Sequence, residues 1–587
     1  MARIFTTDTN SMKGNSMMYR EEFTKWLSNK ALDEGIMSEL VSIKDDEAAI
    51  KERFAMALSF GTAGLRGIMQ AGINGMNLYT VAQATKGLAT LVLKSGGEKR
   101  GVVIACDTRN NSMYFAKICA EVLAQCKIKV YIFDAPRPTP ELSFALRELS
   151  AIAGINITAS HNPKAYNGYK VYWEDGAQIS PDHAKVVSEE ISKTDIFSVE
   201  RMNFDDGVAK GLITVIGEEV DNKFLDRILE QRICPEAIPE VADSFKVVYT
   251  AIHGTGAVLV PKALERAGIK HLITVREQML PNGDFPTVKV PNPEEKSCFD
   301  MARVLAEKNG CDLIIGTDPD ADRVGVLVKT KSGEYYSFNG NQIGALLCDY
   351  IIKYRRKTGN LPENACVVKS IVSSELARAI CEKNNVAMID VLTGFKFIGE
   401  KIKEYETTGE HTFIFGFEES YGYLAGTYAR DKDAVLATLL ITEMAAVYSK
   451  EGKNLYDVLE DIFSEYGFFL ERVDNISMTG LDGLEKTKKL MSDLREATLS
   501  SIGGIDIKFY ADYLADKKIC GDKVTTTGLP KSDAVYFALC DGSTVVVRPS
   551  GTEPKVKVYY LVNGKDRALA EEKLSAISAD FKKILGI

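Results

Sequence analysis

Apolar residues along this chain fall into two rhythms that take turns. Continuous apolar runs at 102–105, 130–133 and 151–157 predict buried strands, and three-to-four spacing at 112–124 and 140–149 predicts helices packed on them. The resulting order, strand, helix, strand, helix, strand, returns from Phe245, with strands ending at 252, 275 and 316 and helices at 258–267 and 298–308. It returns again from Cys366, with strands 366–372, 386–389 and 412–415 and helices 374–382 and 397–405. Three units of like order predict three similar α/β domains. Ahead of them Phe23, Trp26, Leu27, Ala31 and Leu32, then Ile50, Phe54 and Leu58, predict helices that bury one face. Past Tyr466 the order changes: strands 545–547 and 556–560 and a closing helix at 568–584 predict a smaller α+β domain. The expected fold class is α/β with four domains, three of them similar mixed-sheet units, divided as 1–207, 208–330, 331–460 and 461–587.

Each of the three similar units ends in a polar loop. After strand 151–157 comes Ser160-His161-Asn162-Pro163, which cannot extend the strand because proline lacks the N–H a ladder needs. Ser160 therefore sits at a strand's C-terminal end, where α/β folds collect ligands, and its neighbours His161, Lys164 and Lys170 make it a candidate nucleophile. Ser, Asn and Pro also build ordinary turns, so by itself this loop supports both readings. The second loop carries Asp318, Asp320 and Asp322 at alternate positions of an extended segment, which throws three carboxylates to one side. Hard oxygen ligands suit Mg²⁺, Mn²⁺ or Ca²⁺ rather than zinc. An EF-hand fails, because counting from Asp318 the sixth residue is Arg323 and the twelfth Lys329. A solvated acidic turn is the competing reading, opposed by the mutual repulsion of three close carboxylates. The third loop offers Glu418 and Ser420 for hydrogen bonds to sugar hydroxyls.

In the last domain Arg548-Pro549-Ser550-Gly551-Thr552 combines a guanidinium fork, two hydroxyls and exposed backbone N–H groups, an inventory for phosphate or simply a hairpin turn. Gly61, Gly64 and Gly67, with Thr62 and Arg66 between them, read as a phosphate cradle or as a tight loop with a surface arginine. Lys432 and His253 are surface residues by default. No P-loop occurs, since 394–401 has Glu400 where the lysine belongs; Gly254-Thr255-Gly256 lacks the third glycine of a dinucleotide fingerprint; Ser160 is not in a nucleophile elbow.

Composition narrows the classes. A chain of 587 residues exceeds one hydrophobic core, and 45% apolar with 26% charged residues excludes a disordered or collagenous chain. Net charge is −9, with 72 Lys+Arg intermixed among 81 Asp+Glu, which argues against nucleic acid or an anionic membrane as partner and makes any phosphate site local. Eleven scattered cysteines without a C-x-x-C pair, several inside apolar runs (Cys119, Cys348, Cys540), point to a reducing cytoplasm. The first 18 residues lack a signal-peptide core, and Thr442 and Glu443 interrupt the apolar helix at 434–448, so no membrane span is expected.

Taken together, the serine loop with Asn167-Gly168-Tyr169-Lys170, the Asp318-Pro-Asp-Ala-Asp-Arg loop, Gly416-Phe-Glu-Glu-Ser and Arg548-Pro-Ser-Gly-Thr-Glu-Pro resemble, in order, the four signature loops of the α-D-phosphohexomutase superfamily. The resemblance spans residues 61–554. It implies four domains facing a central cleft, with Ser160 carrying a phosphoryl group and one Mg²⁺ per chain bound by Ser160, Asp318, Asp320 and Asp322 beside Arg323. It implies a catalytic set of Ser160, His161, Lys170, Arg66 and Lys432. Thr62, Thr393, Gly394, Glu418 and Ser420 would contact substrate, and Arg548, Ser550, Gly551 and Thr552 would grip the phosphate that is not reacting. The extended forms at 61–67 and 171–179 look most like the phosphoglucomutase and phosphopentomutase branch. The implied reaction interconverts α-D-glucose 1-phosphate and glucose 6-phosphate through a phosphoserine, with glucose 1,6-bisphosphate as intermediate and activator. Phosphomannomutase or phosphopentomutase activity, a metal-dependent sugar phosphatase and a non-catalytic metabolite-binding protein are the alternatives. Leu392 stands where some dual-specificity phosphomannomutases carry a lysine. The partner implied is a small phosphosugar.

Overall fold

The computed structural model describes residues 9–62, 64–478, 483–549 and 555–586, the backbone alone at 9–17 and 484. Helices Thr9–Leu27, Glu34–Ser42 and Glu47–Phe54 form the expected N-terminal layer, their apolar faces meeting around Trp26, which touches Phe54, Tyr79 and Phe197 edge to face.

The first sheet runs, in spatial order, Leu65–Ile68, Tyr166–Trp173, Ala153–Ile157, Val102–Cys106, Val130–Phe133, Ile213–Ile216. Its last four strands are parallel, and Tyr166–Trp173 returns antiparallel beside Ala153–Ile157. The second sheet repeats the plan: His271–Thr274, Lys246–Thr250 and Leu313–Thr317 are parallel, then Val324–Lys329 and Tyr335–Ser337 turn back. So does the third, with Ala387–Val391, Ala365–Ser370 and Thr412–Glu418 parallel and Gly422–Leu424 antiparallel. Each expected polar loop is thus a hairpin tip between the last parallel strand and its antiparallel partner. Such tips leave the sheet at the C-terminal end of the parallel strands, where three units can aim them at one point.

The fourth unit is an antiparallel sheet from Phe468–Ser477 through Lys555–Gly564 and Thr544–Pro549 to Lys523–Thr525, covered by helices Gly483–Glu496 and Arg567–Ile584.

Packing couples the units unequally. One continuous apolar cluster runs through the first three, from Val103 and Phe133 past Tyr249 and Ile315 to Val367 and Phe415. Helix Ala434–Ser449 lies inside it, buried from Ala434 to Tyr448, against helices Glu218–Leu229 and Gly256–Arg266 of the second unit. Its acid, Glu443, accepts from the N–H groups of Ile233 at 2.8 Å and Cys234 at 3.1 Å, from the Tyr350 hydroxyl at 2.8 Å and from Arg232 Nε at 3.1 Å. The fourth unit has a core of its own, around Phe537, Val545 and Phe581. It joins the third through a small cluster that includes Ile371, Val372, Leu392, Tyr513 and Tyr559, and at its start through Phe468.

Each expected division falls inside a structural unit. The 207/208 division precedes Ile213–Ile216, which pairs with Val130–Phe133; 330/331 splits the Val324–Lys329 and Tyr335–Ser337 hairpin; 460/461 cuts helix Leu455–Tyr466. The reason is the same each time: the added element is short or polar on one side, and only its partner reveals its allegiance. The strand expected to reach 372 ends at Ser370, where Ser373 N–H turns back to the Ser370 carbonyl at 3.0 Å. Among the described residues no helix is long and apolar enough to cross a membrane.

Candidate active site

Ser160 has a left-handed backbone, φ 51°, which a residue with a Cβ adopts only when its surroundings hold it there. They do. The Thr158 hydroxyl accepts from Ser160 N–H at 2.8 Å, and Arg109, itself buried, donates to the carbonyls of Ser160 at 2.5 Å, Pro163 at 2.9 Å and Tyr166 at 3.2 Å, and to that of Asn162. Arg109 pairs with Asp107 at 3.2 Å, and Asp107 takes the Thr158 hydroxyl at 2.6 Å. The hairpin tip is thereby wound around one guanidinium. Gly64 is required next to it: at φ +74°, a Cβ there would lie 1.8 Å from the Tyr169 carbonyl. Strand Leu65–Ile68 can then pair with Tyr166–Trp173, which sets Arg66 opposite Gly168.

The loops meet at the serine. Ser160 Oγ donates to Asp318 Oδ2 at 2.9 Å and lies 3.2 Å from His161 Nδ1. Asp318, Asp320 and Asp322 are all buried, with ligand atoms within 4.8 Å of one another. The protein engages both oxygens of Asp318 and one oxygen of each of the other two. Asp318 Oδ1 accepts from the N–H groups of Asp322 and Arg323, both at 3.0 Å. Asp320 Oδ2 takes Lys170 Nζ and the Thr139 hydroxyl, both at 2.9 Å; Asp322 Oδ2 faces Lys432 Nζ at 3.1 Å and Lys170 Nζ at 3.7 Å. Asp320 Oδ1 and Asp322 Oδ1 are buried with no hydrogen-bond partner. Buried, unpartnered carboxylate oxygens beside a serine hydroxyl are the donor set of a hard divalent cation, and the residues present fit one.

The electrostatics agree. Burial, and then Asp320 and Asp322, push the Asp318 carboxyl up. Burial works the same way on Asp320, yet Lys170 holds it below the usual carboxylate range. Lys170 and Lys432 are disfavoured by burial, but the aspartates more than offset this and keep both charged. His161 is pushed well down by burial and by Arg323 and Arg66, so its imidazole is neutral.

Among the expected residues, Ser160, His161, Lys170, Lys432, Arg323 and the three aspartates form this one cluster, with Arg66 at its side, 3.4 Å from Asn162 Oδ1. Glu418 joins through charge, facing both Arg323 and Lys432, and is held from behind by Gly394 N–H at 2.7 Å. Arg548 stands against Tyr559 and Glu419, one residue beyond. Thr62 lies in the turn bridged by Gly61 and Gly64, and among the described residues no hydrogen bond ties Thr62, Thr393 or Ser420 to the cluster. Ser550, Gly551 and Thr552 lie outside the described residues. His253 is a brace, between the Leu280 carbonyl at 3.0 Å and Thr287 Oγ1 at 2.9 Å.

The chain matches, in order, the alpha/beta/alpha domains I, II and III of phosphoglucomutase/phosphomannomutase over residues 57–196, 222–333 and 339–466, and the C-terminal domain of that family over 511–577. It belongs to the phosphoglucomutase/phosphomannomutase family. Similar relatives include a phosphoglucomutase of Staphylococcus epidermidis, 39% identical over 533 residues, which are 90% of this chain and 94% of that one. A phosphoglucomutase of Staphylococcus aureus is 38% identical over 532 residues, covering 90% and 93%. Among solved structures, the Paramecium phosphoprotein pp63/parafusin in its open form aligns with a TM-score of 0.66 at 16% identity, over 90% of this chain and 96% of that one. A family protein of Burkholderia thailandensis aligns with a TM-score of 0.64 at 17% identity over the same shares. These two likenesses show the shared fold.

Within this family member, several residues of the cluster escaped the sequence reading. Arg109, Thr139 and Glu294, which pairs with Arg323 at 2.6 Å, act on partners remote in sequence. So does Asp431, which takes the Tyr172 hydroxyl at 2.8 Å while also holding its neighbour Lys432 Nζ at 3.0 Å. The available signals were local: Asp107-Thr-Arg109 ends a buried strand, and Thr139 stands between two prolines.

Proposed function

We propose that this chain is a phosphoglucomutase, interconverting α-D-glucose 1-phosphate and glucose 6-phosphate through phospho-Ser160 and glucose 1,6-bisphosphate. The observation that carries the reading is the Ser160 hydroxyl 2.9 Å from Asp318 Oδ2, at the mouth of a buried three-carboxylate cage. The phosphoglucomutase relatives support it at 38–39% identity. Asp318, Asp320, Asp322 and Ser160 would hold Mg²⁺, which neutralises charge on the transferring phosphoryl group when bound.

The protein's own part is positioning and charge. Ser160 gives its phosphoryl group to the free hydroxyl of the sugar monophosphate, the P–O bond to serine breaking as the bond to the sugar forms and the sugar hydroxyl's proton ending on the serine oxygen. The bisphosphate turns over, and its other phosphoryl group returns to Ser160. On return the serine loses its proton, and neutral His161, with Nδ1 at 3.2 Å from Oγ, is placed to take it. Lys170, Arg66 and Arg323 offset the dianion's charge. Glu418, with Ser420, Thr393, Gly394 and Thr62, would hold sugar hydroxyls that lie between the two ends. The Arg548 loop, including Ser550, Gly551 and Thr552, would grip the idle phosphate. Leu392 is 2% exposed within the apolar cluster joining the third and fourth units, so this position presents no charge to the sugar, which supports glucose over mannose. The units divide, on this reading, after Ile216, after Ser337 and at Gly467, and the enzyme works in the cytoplasm.

The test is purified enzyme with Mg²⁺ and a trace of glucose 1,6-bisphosphate, with glucose 6-phosphate followed from glucose 1-phosphate, mannose 6-phosphate from mannose 1-phosphate and ribose 5-phosphate from ribose 1-phosphate in parallel reactions. Glucose 1-phosphate should be preferred, and Ser160→Ala should lose at least about a thousandfold. Release of free phosphate in place of glucose 6-phosphate would make the protein a phosphatase, and full turnover by Ser160→Ala would end the phosphoserine reading.

A further inference from the structure

We infer that Thr139 is the positioning residue that locks Asp320 as a one-oxygen ligand, and that through it the site favours a small divalent cation over Ca²⁺. The inference rests on the metal reading of this site. Thr139 belongs to the first unit, at the start of helix Thr139–Glu148, and Asp320 to the second. Two contacts join them: Thr139 N–H donates to the Asp320 carbonyl at 2.8 Å, and the hydroxyl donates to Asp320 Oδ2 at 2.9 Å. The direction of the second bond is fixed, because the Asn156 amide donates to the Thr139 oxygen at 2.7 Å. The threonine's only proton must then go to the carboxylate. Thr139, Asn156 and Asp320 are each 0% exposed, so water cannot substitute.

The consequence is chemical. Thr139 and Lys170 together occupy Oδ2, and Oδ1 is left buried without a partner. Asp318 Oδ1 is likewise filled by two backbone N–H groups, and Asp322 Oδ2 by Lys432. Asp320 and Asp322 are thereby limited to one free oxygen each, and Asp318 to Oδ2, which here takes the Ser160 hydroxyl. Mg²⁺ takes six ligands in a tight octahedron and accepts single oxygens, whereas Ca²⁺ seeks six to eight, commonly from two-oxygen carboxylates. Among the described residues, Thr139 is the only neutral side chain that donates to the Asp320 carboxylate. Its loss frees the Asp320 carboxylate to turn while leaving the charges of the cage unchanged.

Mn²⁺ binding to the whole enzyme, read by electron paramagnetic resonance with Mg²⁺ or Ca²⁺ as competitor, tests this without turnover. Wild type should release Mn²⁺ to Mg²⁺ more readily than to Ca²⁺. Thr139→Val should weaken Mn²⁺ by about tenfold or more and narrow the preference for Mg²⁺, and Thr139→Ser should restore both. Should Thr139→Val not fold, the double variant Thr139→Val with Asn156→Leu, which leaves no orphaned amide, carries the comparison. Wild-type Mn²⁺ affinity and unchanged competition in the valine variant would overturn the inference alone. Failure of wild type to bind Mn²⁺ would overturn the metal reading with it.

Discussion

Replacing Arg109 with methionine keeps most of the side chain's volume and removes the guanidinium on which the serine loop is wound. Two losses follow. The Asp107 carboxylate, 1% exposed, loses its ion-pair partner but keeps three donors: Arg109 N–H at 2.9 Å, the Ser112 hydroxyl at 2.8 Å and the Thr158 hydroxyl at 2.6 Å. Breaking a buried pair costs about 3–5 kcal/mol, and with those donors in place the low end applies, about 3 kcal/mol. Pro163 is exposed and Asn162 and Tyr166 are partly exposed, so their carbonyls can take water, whereas Ser160 is 4% exposed and its carbonyl adds about 1–2 kcal/mol. The sum, about 4–5 kcal/mol, is concentrated in the loop that holds Ser160 at φ 51°. That is enough to release the strained conformation, and a misplacement of about 1 Å at a reacting atom costs on the order of a hundredfold in rate. The assay is phosphorylation of Ser160 by glucose 1,6-bisphosphate, followed by intact mass, alongside urea unfolding. Arg109→Met should slow phosphorylation by about a hundredfold and lower the unfolding midpoint; Arg109→Lys, which keeps charge but not the fork, should fall between. Phosphorylation within twofold of wild type together with an unchanged midpoint would refute the reasoning.

Two further expectations concern stability. Glu443→Gln leaves Arg232 without a countercharge and, if its carbonyl oxygen stays on the two N–H donors, turns an NH2 group toward Arg232 Nε, so about 3 kcal/mol should be lost and the calorimetric transition of the three units that share one interior should fall by about 3 °C; a shift under about 1 °C would show that the tie is not needed. Glu471, where the fourth unit begins, is pushed by burial from 4.5 to about 7, with the Ser374 hydroxyl opposing. The folded carboxyl holds its proton more tightly than the unfolded one, so this contribution is present below pH 4.5 and is lost as pH rises through about 7. Over that window it amounts to at most about 3 kcal/mol, and urea midpoints between pH 5 and pH 8 should decline more in wild type than in Glu471→Gln, with equal slopes counting against the argument.

The parallel strands were legible because burial on both faces makes them continuous apolar runs: the strand expected at 130–133 is Val130–Phe133. Tyr166–Trp173 was not, since Asn167, Gly168 and Lys170 interrupt the pattern. Lys170 is there to reach Asp320 and Asn167 to brace Ser112 Oγ at 3.0 Å, and so the strand nearest the chemistry is the one that hides from periodicity. The four loops were legible as chemistry, and Ser160, Lys170 and the aspartates do converge. What holds them was not. Arg109 works on carbonyls, which every residue has, and Thr139 acts across 181 positions, so neither leaves a mark at short range. Glu443 read as an interruption of an apolar helix, and only the facing N–H groups of Ile233 and Cys234 give it a purpose.

The unequal cores of the four units bear on how a sugar can be admitted and turned. With one apolar interior running through the first three units, Ser160, the three aspartates and Glu418 form a single jaw whose spacing is set by close packing and resists bending. The C-terminal unit, with its own interior and a narrow joint around Leu392 and Tyr559, is the other jaw, and it bears Arg548. Opening is therefore cheapest at that joint: under the proposed function, Arg548 would swing away from the idle phosphate while Ser160 and the aspartates keep their geometry, so that a bisphosphate would be handed over without Ser160 being disturbed.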